Sequence, residues 1–367
     1  MRTGKACVRF KTFQSRSPAL NSKPNSMFNL DSLCFFKTNL QSAIIILHPV
    51  STKMIFKKNL LCCFYGNNSF KKQRSPEQSS PYSITMLKVP EHQVAGRQAI
   101  DGKLGPLIDN SGHFYKPLQD DDERGTRELT FYHSFSSNTR IPHHIRRFFP
   151  VFHGTQLLKA SDGSGLRPHL VLQDITSDHL NPSILDIKIG SRTWYLEASN
   201  AYIQNCFHRD KTTTTVSLGF RICGLQIYNE SGFWKPERKL VRNFTADDVR
   251  SILRMFVSSN VGPEPDFSFA DSVYGGCDGI LERLMELKTW FEDQTMYHFC
   301  SCSVLLLFDK ESFLKGKTPF AEVKLIDFAH VVDGNGVIDH NFLGGLCSFI
   351  KFVSQVLADS KGSTMED

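Results

Sequence analysis

Long apolar runs are missing from this chain. Ala43-Ile44-Ile45-Ile46-Leu47 is the nearest to one, and it stops at His48-Pro49, far short of the ~18 residues a membrane span needs. The ten cysteines lack order: no regular spacing points to a disulfide framework, and neither Cys62-Cys63 nor Cys300-Ser301-Cys302 has the C-x-x-C spacing of a zinc site. A reduced intracellular compartment is therefore expected. The common nucleotide motifs are missing too. There is no Walker A loop, no Gly-x-Gly-x-x-Gly, and no His-Arg-Asp with its downstream Asn, which excludes a P-loop enzyme and an ordinary protein kinase. Acids are scarce at the front: residues 1–85 hold 13 Lys or Arg against only Asp31 and Glu77. The rest carries 30 basic and 35 acidic residues, so the net charge of +6 belongs to the first segment. The body is not a basic nucleic-acid binder.

What is present, in 367 residues of ordinary soluble composition, is room for two domains or one bilobal one. Residues 1–85 read as a separate segment. They fit a basic, Ser-rich transit peptide, a basic tail for anionic surfaces, or an extension ahead of an internal start at Met86. From Leu87 the character changes. Val94-Ala95-Gly96, Leu104 to Ile108 and Phe114 to Leu118 are predicted strands, the last two joined as a hairpin by Asp109-Asn110-Ser111-Gly112. Thr126 is the predicted cap of a helix over Arg127–Tyr132. Further strands are expected at Val151–His153 and His169–Leu172, making 86–175 a β-rich lobe. The region 176–362 is mixed. It has helices at Ala198–Phe207, from Thr245 (with Asp248 completing a capping box) to about Ser258, at Gly279–Gln294 and at Phe342–Leu357. Its expected strands are Val304–Phe308, Ala321–Ile326 and a strand pair or bent strand over Ser217–Tyr228.

The chemistry gathers on Pro182-Ser183-Ile184-Leu185-Asp186-Ile187-Lys188-Ile189-Gly190. In a strand, Asp186 and Lys188 share a face, because side chains alternate with period two. An apolar run that points an acid and a base the same way either pairs them or uses them. Three other residues suit phosphoryl transfer. Lys116 in a strand suits nucleotide phosphates, Glu128 on the next helix can hold that lysine, and Asp327 after Val323–Ile326 suits a divalent metal. His330 faces substrate or serves as a packing histidine. His143-His144 and Arg146-Arg147 read as a solvated basic turn.

The Pro182-x-x-x-Asp186-x-Lys188-x-Gly190 pattern resembles the signature of the inositol polyphosphate kinase family. Ser217-Leu218-Gly219-Phe220-Arg221-Ile222, Ser301 to Leu306 and Ile326-Asp327-Phe328-Ala329-His330-Val331 agree with it. Val94-Ala95-Gly96, Phe114 to Pro117 and Gly344-Gly345-Leu346-Cys347 make the plant multikinase branch the most similar. The resemblance covers roughly 86–358. It implies an α+β, two-lobed, protein-kinase-like fold with an N-terminal ATP-binding lobe, and ATP and Mg2+ as cofactors. By that resemblance Lys116 meets the ATP phosphates with Glu128 behind it, Gln173 and Ile175 offer hinge backbone to adenine, and Asp327 holds Mg2+. Asp186 takes the ribose or organises catalysis, while Lys188 lies between the substrate hydroxyl and the γ-phosphate.

The helix after the signature departs from the family, since Tyr202-Ile203-Gln204-Asn205-Cys206 carries no lysine. A polyanionic substrate wants charge-assisted contacts, so either Arg209 and Lys211 compensate from the helix end or affinity and substrate choice have shifted; His330 is a further substrate-binding candidate. The activity implied is transfer to the 6- and 3-hydroxyls of inositol 1,4,5-trisphosphate and of the tetrakisphosphate formed from it, giving the 1,3,4,5,6-pentakisphosphate. A narrower trisphosphate 3-kinase and a catalytically weak transcription-complex scaffold are the alternatives. The implied location is nucleus and cytoplasm, or plastid if residues 1–85 are a transit peptide. Inositol polyphosphates and ATP are the expected partners, with transcription-complex proteins besides.

Overall fold

The computed structural model describes residues 86–99, 102–118, 123–229, 231–260, 262, 264–318 and 320–363. The readings of residues 1–85 lie outside these. In chain order the elements are β1 (Leu107–Ile108), β2 (His113–Pro117), α1 (Arg124–Ser137), α2 (His143–Arg146), β3 (Phe152–Lys159), β4 (Leu166–Gln173) and β5 (Ser183–Ile189). There follow α3 (Asn200–Lys211), α4 (Thr214–Leu218), β6 (Phe220–Asn229), β7 (Gly232–Trp234), α5 (Arg238–Arg242), α6 (Ala246–Phe256) and α7 (Ile280–Asp293). The last are β8 (Tyr297–Phe299), β9 (Ser303–Phe308), α8 (Lys310–Leu314), β10 (Ala321–Ile326), β11 (Val331–Asp333) and α9 (His340–Ser363).

Two antiparallel sheets carry the site. The first has the order β1-β2-β4-β3 and the second β10-β9-β5-β6-β7, while β8 and β11 form a separate ribbon. β5 lies inside the second sheet, paired with β6 on one side and β9 on the other. That position explains its sequence, because a strand covered on both faces reads as a continuous apolar run rather than an alternation. Asp186 opposes Gly224 on β6, and the register slips there by one residue, leaving Cys223 as a bulge. Lys188 opposes Arg221 and Ser303.

The mixed α+β architecture is the one expected, with four local corrections. Val94-Ala95-Gly96 is not a strand but part of an irregular loop. Thr126 is not an N-cap: α1 begins two residues earlier, and the Thr126 carbonyl accepts a bond from the Thr130 hydroxyl inside the helix. Ser217-Leu218 belong to α4, which Gly219 ends in the left-handed conformation before β6 starts. Finally, α3 runs on to Lys211. The Thr245–Asp248 capping box forms as read, with both reciprocal bonds in place.

The largest buried cluster is aromatic-rich and draws on both sheets and the helices packed on them. Its closing helix α9 is long and apolar enough to cross a membrane by composition. Its apolar face is already used: Phe342 stacks on Phe291 at 4.3 Å and Phe349 meets Phe220 edge-on at 5.2 Å. Gly345 of α9 crosses the turn that closes β5, where the Gly190 N–H donates to the Gly219 carbonyl at 2.8 Å. Gly190 sits at φ +105°. A β-carbon on residue 345 would fall 2.3 Å from the Gly219 carbonyl oxygen and 2.5 Å from the Gly190 nitrogen. Neither backbone atom can turn aside. Gly345→Ala is therefore expected to cost about 2 kcal/mol or more in stability through overpacking, read as a lowered denaturation midpoint. An unchanged midpoint contradicts this packing.

Candidate active site

Phe328 places the acid of the Ile326-Asp327-Phe328 segment. Its ring is fully buried and stacks on Phe131 of α1 at 4.4 Å. With Phe328 plugged into the core, Asp327 takes φ +67° and its carboxylate, 43% exposed, looks into the cleft. Such a conformation costs a non-glycine residue of order 1–3 kcal/mol unless its surroundings hold it. Here they do. Lys116 Nζ donates to Asp327 Oδ1 at 2.9 Å, and Glu128 Oε1 accepts from both Lys116 Nζ at 2.9 Å and the Phe328 N–H at 3.3 Å. One lysine from β2 thus joins a glutamate on α1 to an aspartate after β10.

The charges follow from this geometry. Burial alone would lower the Lys116 pKa, but Asp327 and Glu128 outweigh it and raise it. Asp327 is held down to about 2: burial opposes ionisation, and the Lys116 and Lys188 ammoniums overcome it. Asp186 behaves the other way. It is 4% exposed, its Oδ1 has no hydrogen-bond partner, and burial together with the Asp327 charge pushes its pKa up to about 6. Among the described residues no ion pair joins Asp186 to Lys188. Instead Lys188 Nζ donates to the Ser301 carbonyl and, at 2.9 Å, to the Ser301 hydroxyl. Ser301 takes φ +59° in the turn between Cys300 and Cys302.

Lys116, Glu128, Gln173, Ile175, Asp186, Lys188, Asp327 and His330 all line one cavity of about 370 Å³. Its apolar part is made by Leu172, Ile184, Leu305 and Ile326, next to the Gln173–Ile175 connection. The Gln173 N–H is spent on the Val151 carbonyl and the Asp174 N–H on the Gly112 carbonyl. Asp174 Oδ1 then turns the chain by accepting from the Thr176 N–H and hydroxyl. His330 lies between Tyr195 and Tyr202, with ring centroids at 5.7 and 5.3 Å, and its Nε2 meets the Tyr202 hydroxyl at 3.1 Å. Burial, with Lys188, Arg124 and Arg127 nearby, lowers its pKa to about 4, so the ring is neutral at physiological pH.

Arg209 and Lys211 do not join this cavity. Arg209 donates to Cys206 Sγ at 3.0 Å and Lys211 sits over the Phe207 ring at 4.4 Å. Asp210 between them is buried on the Thr193 N–H and hydroxyl and on Arg221, 3.2 Å away. The His-Arg-Asp tripeptide is thus present as His208-Arg209-Asp210, with Thr215 where the kinase motif has its downstream Asn, and its acid is spent on structure inside a helix. Sequence reasoning did not find the Tyr195–His330–Tyr202 stack or the Ser301 rest of Lys188. Both join segments far apart in the chain, and spacing carries no signal for either.

A buried carboxylate with one oxygen unpartnered is a cost carried by the fold. Between about pH 4 and pH 6 the unfolded chain has released the Asp186 proton while the folded chain still holds it, so stability falls as pH rises through that window. Asp186→Asn removes this penalty. The variant is expected to gain about 2–3 kcal/mol at about pH 7.5 and to lose that gain below about pH 4. Denaturation midpoints at the two pH values check it, and equal midpoints at the higher pH contradict it.

The sequence model of the family described as inositol polyphosphate kinase matches residues 169–354. Inositol polyphosphate multikinase beta of Arabidopsis thaliana is 59% identical over 283 residues, covering 74% of this chain and 94% of the relative. A solved inositol phosphate multikinase superposes with a TM-score of 0.55 at 53% identity, over 62% of this chain and 99% of that one. The inositol phosphate multikinase of S. cerevisiae, solved with ADP and Mn2+, shares the fold at a TM-score of 0.52 and 21% identity, over 67% and 99%. By these likenesses the chain is an enzyme and belongs to the inositol polyphosphate kinase family.

Proposed function

We propose that the protein is a multikinase that moves the γ-phosphate of ATP to the 6- and 3-hydroxyls of inositol 1,4,5-trisphosphate and of the resulting tetrakisphosphate, ending at the 1,3,4,5,6-pentakisphosphate. The observation that carries the reading is the meeting of Lys116, Asp327, Asp186 and Lys188 on one cavity that also has an apolar end beside Gln173–Ile175. Such a cavity suits a base at one end and phosphates at the other. The multikinase named in the 59% identical relative supports the breadth of acceptor.

The residues also fit a divalent cation, Mg2+ in this reading. Asp327 offers an ionised carboxylate at cleft level, and Asp186, on the same cavity, has a partnerless oxygen. Among the described residues no three His, Cys, Asp or Glu side chains converge. Asp327, with Asp186, would therefore hold the ion with oxygens from phosphate and water completing its shell, as Mg2+ commonly allows. When bound, it supplies charge neutralisation between the phosphates.

Phosphoryl transfer of this kind asks the protein for positioning and charge rather than covalent chemistry. Lys116, cationic and fixed between two carboxylates, can reach a nucleotide phosphate without losing Glu128. Lys188 rests on Ser301 and can exchange those neutral oxygens for a phosphoryl oxygen, a stronger, charge-assisted partner. Asp186 is mostly ionised above pH 6 and lies two residues from Lys188 on the same strand. It can accept a hydroxyl proton or bond, from the ribose or from the acceptor. Neutral His330, held by Tyr195 and Tyr202, lines the cavity together with cationic Arg124.

The test is an assay of purified protein with inositol tris- and tetrakisphosphates, reading product isomers. Appearance of the pentakisphosphate is expected, and the 1,3,4,5-tetrakisphosphate as the sole product makes the enzyme a narrower 3-kinase. Lys188→Met should lower kcat on the order of 10²–10³-fold, as removal of a charge-stabilising donor does elsewhere, with nucleotide binding retained. Turnover like the wild type's refutes the role of Lys188.

A further inference from the structure

Residues 87–99 form a hook that none of these roles uses. Leu87 packs on the patch of Leu107, Tyr115 and Val171 in the first sheet, and Lys88 exchanges both backbone bonds with Ile108, at 2.9 and 2.8 Å. The chain then crosses to the second sheet, where Val94, 8% exposed, is buried against Ile184, Leu305 and Leu307. It returns to the first. At Gly105, just before β1, a β-carbon would lie 2.2 Å from the Ala99 nitrogen. One short segment thus holds both sheets, and Pro90 and His92 to Arg97 line the same cavity as Lys116 and Asp186.

The hook has no helix or strand of its own, so its shape is set by side chains. Gln93 Nε2 donates to the Ala95 and Arg97 carbonyls at 2.9 and 2.7 Å, and Gln98 Nε2 to the Gln93 carbonyl at 3.0 Å. From outside, Lys235 Nζ donates to the Gln93 carbonyl and the Arg238 guanidinium to the Gly96 carbonyl. Gln226, 1% exposed, meets His92 Nδ1 at 3.1 Å and donates to the Pro182 carbonyl at 2.8 Å. The strand beneath is cut to fit. Gly224, the partner of Asp186 in the β5–β6 register, lies where a β-carbon would be 2.2 Å from the Val94 carbonyl oxygen.

We infer that the hook is a working wall of the nucleotide site: it holds the two sheets at the separation that the nucleotide needs. Lys235 and Arg238 are then positioning residues for the nucleotide, acting through the hook from outside the cavity. The inference rests on the kinase reading above. Physically, the wall is held by side-chain hydrogen bonds to its backbone carbonyls. Its place therefore depends on a few bonds, and loosening them widens the cleft beside Asp186 without removing any group that meets the ligand.

The test is the Lys235→Met, Arg238→Met double variant, with Gly224→Ala as a second route to the same displacement. Hydrogen exchange of residues 92–98, the ADP dissociation constant without acceptor, and KM for each substrate are measured. Expected are faster exchange in the hook, ADP binding and the ATP KM weakened on the order of tenfold, and an acceptor KM changed by less than about twofold. Unchanged ADP affinity in both variants overturns the inference, whatever the exchange rates do. Equal losses for ATP and acceptor overturn it as well, because they indicate general loosening. Failure of the wild-type protein to bind ADP sinks the kinase reading instead, so the two failures are told apart.

Discussion

The tie of Glu128, Lys116 and Asp327 is the constraint that orders the rest of this molecule. It draws α1, a strand of the first sheet and the turn after β10 to one ammonium group. Glu128 is nearly inaccessible and Asp327 half open to the cleft, so the tie has a structural end and a chemical end. A buried carboxylate without its partner would cost several kcal/mol. The fold therefore holds Lys116 at Glu128 whatever happens in the cleft. At the other end, Asp327 is released to meet ligands by the burial of its neighbour Phe328. The aromatic core is thus the anchor of the site, since the Phe131–Phe328 stack sets where the acid points.

Asp186 shows the opposite balance. Asp327 is paired and ionises easily. Asp186 is buried, has one oxygen unpartnered and resists ionisation because of burial and the Asp327 charge. Two carboxylates so close in one cavity, one easy and one difficult to ionise, repel each other until a cation or a hydroxyl donor arrives. That is a stored cost of the kind that functional sites carry at the expense of stability. A strand-end salt bridge with Lys188 would have relieved it, and the structure places Lys188 on Ser301 instead.

Much of this was legible in the sequence because the relevant signals are local. The nonapeptide around Asp186 reads as a buried strand from its apolar run. The Thr245 capping box and the apolar periods of α7 and α9 mark helices, and Asp109 to Gly112 marks the hairpin. Lys116, Glu128 and Asp327 could be nominated singly from their places on a strand, a helix and a strand end. What spacing cannot carry is the pairing of distant segments. Val94-Ala95-Gly96 looked like a strand because it is short and apolar, yet its backbone bonds go to Gln93 and Arg238 side chains. Thr126 has cap chemistry but falls inside α1, where its carbonyl serves Thr130. Arg209 and Lys211 lie where compensation for the missing lysines was expected, and helix phase turns them to Cys206 and Phe207 instead.

With the α3 cations turned away, positive charge at the cavity comes from Lys116, Lys188, Arg97 and Arg124, while the His330 ring among them is neutral. An anionic ligand in the cavity therefore meets cations on both sides of His330, whose ring is fixed from behind by Tyr195 and Tyr202. The cleft that receives it is tied twice, by the ion triad and by the hook at residues 87–99. A doubly tied cleft spends little binding energy on closing around its ligand. The adjustable part is the Lys188 ammonium, held on Ser301 by hydrogen bonds to a carbonyl and a hydroxyl rather than by an ion pair. Neutral oxygens are weaker partners than a phosphate, so in the proposed reaction the electrostatics that keep Lys188 parked would also let a phosphoryl group take it. In this geometry rigidity belongs to the frame and freedom to one side chain beside the reacting groups.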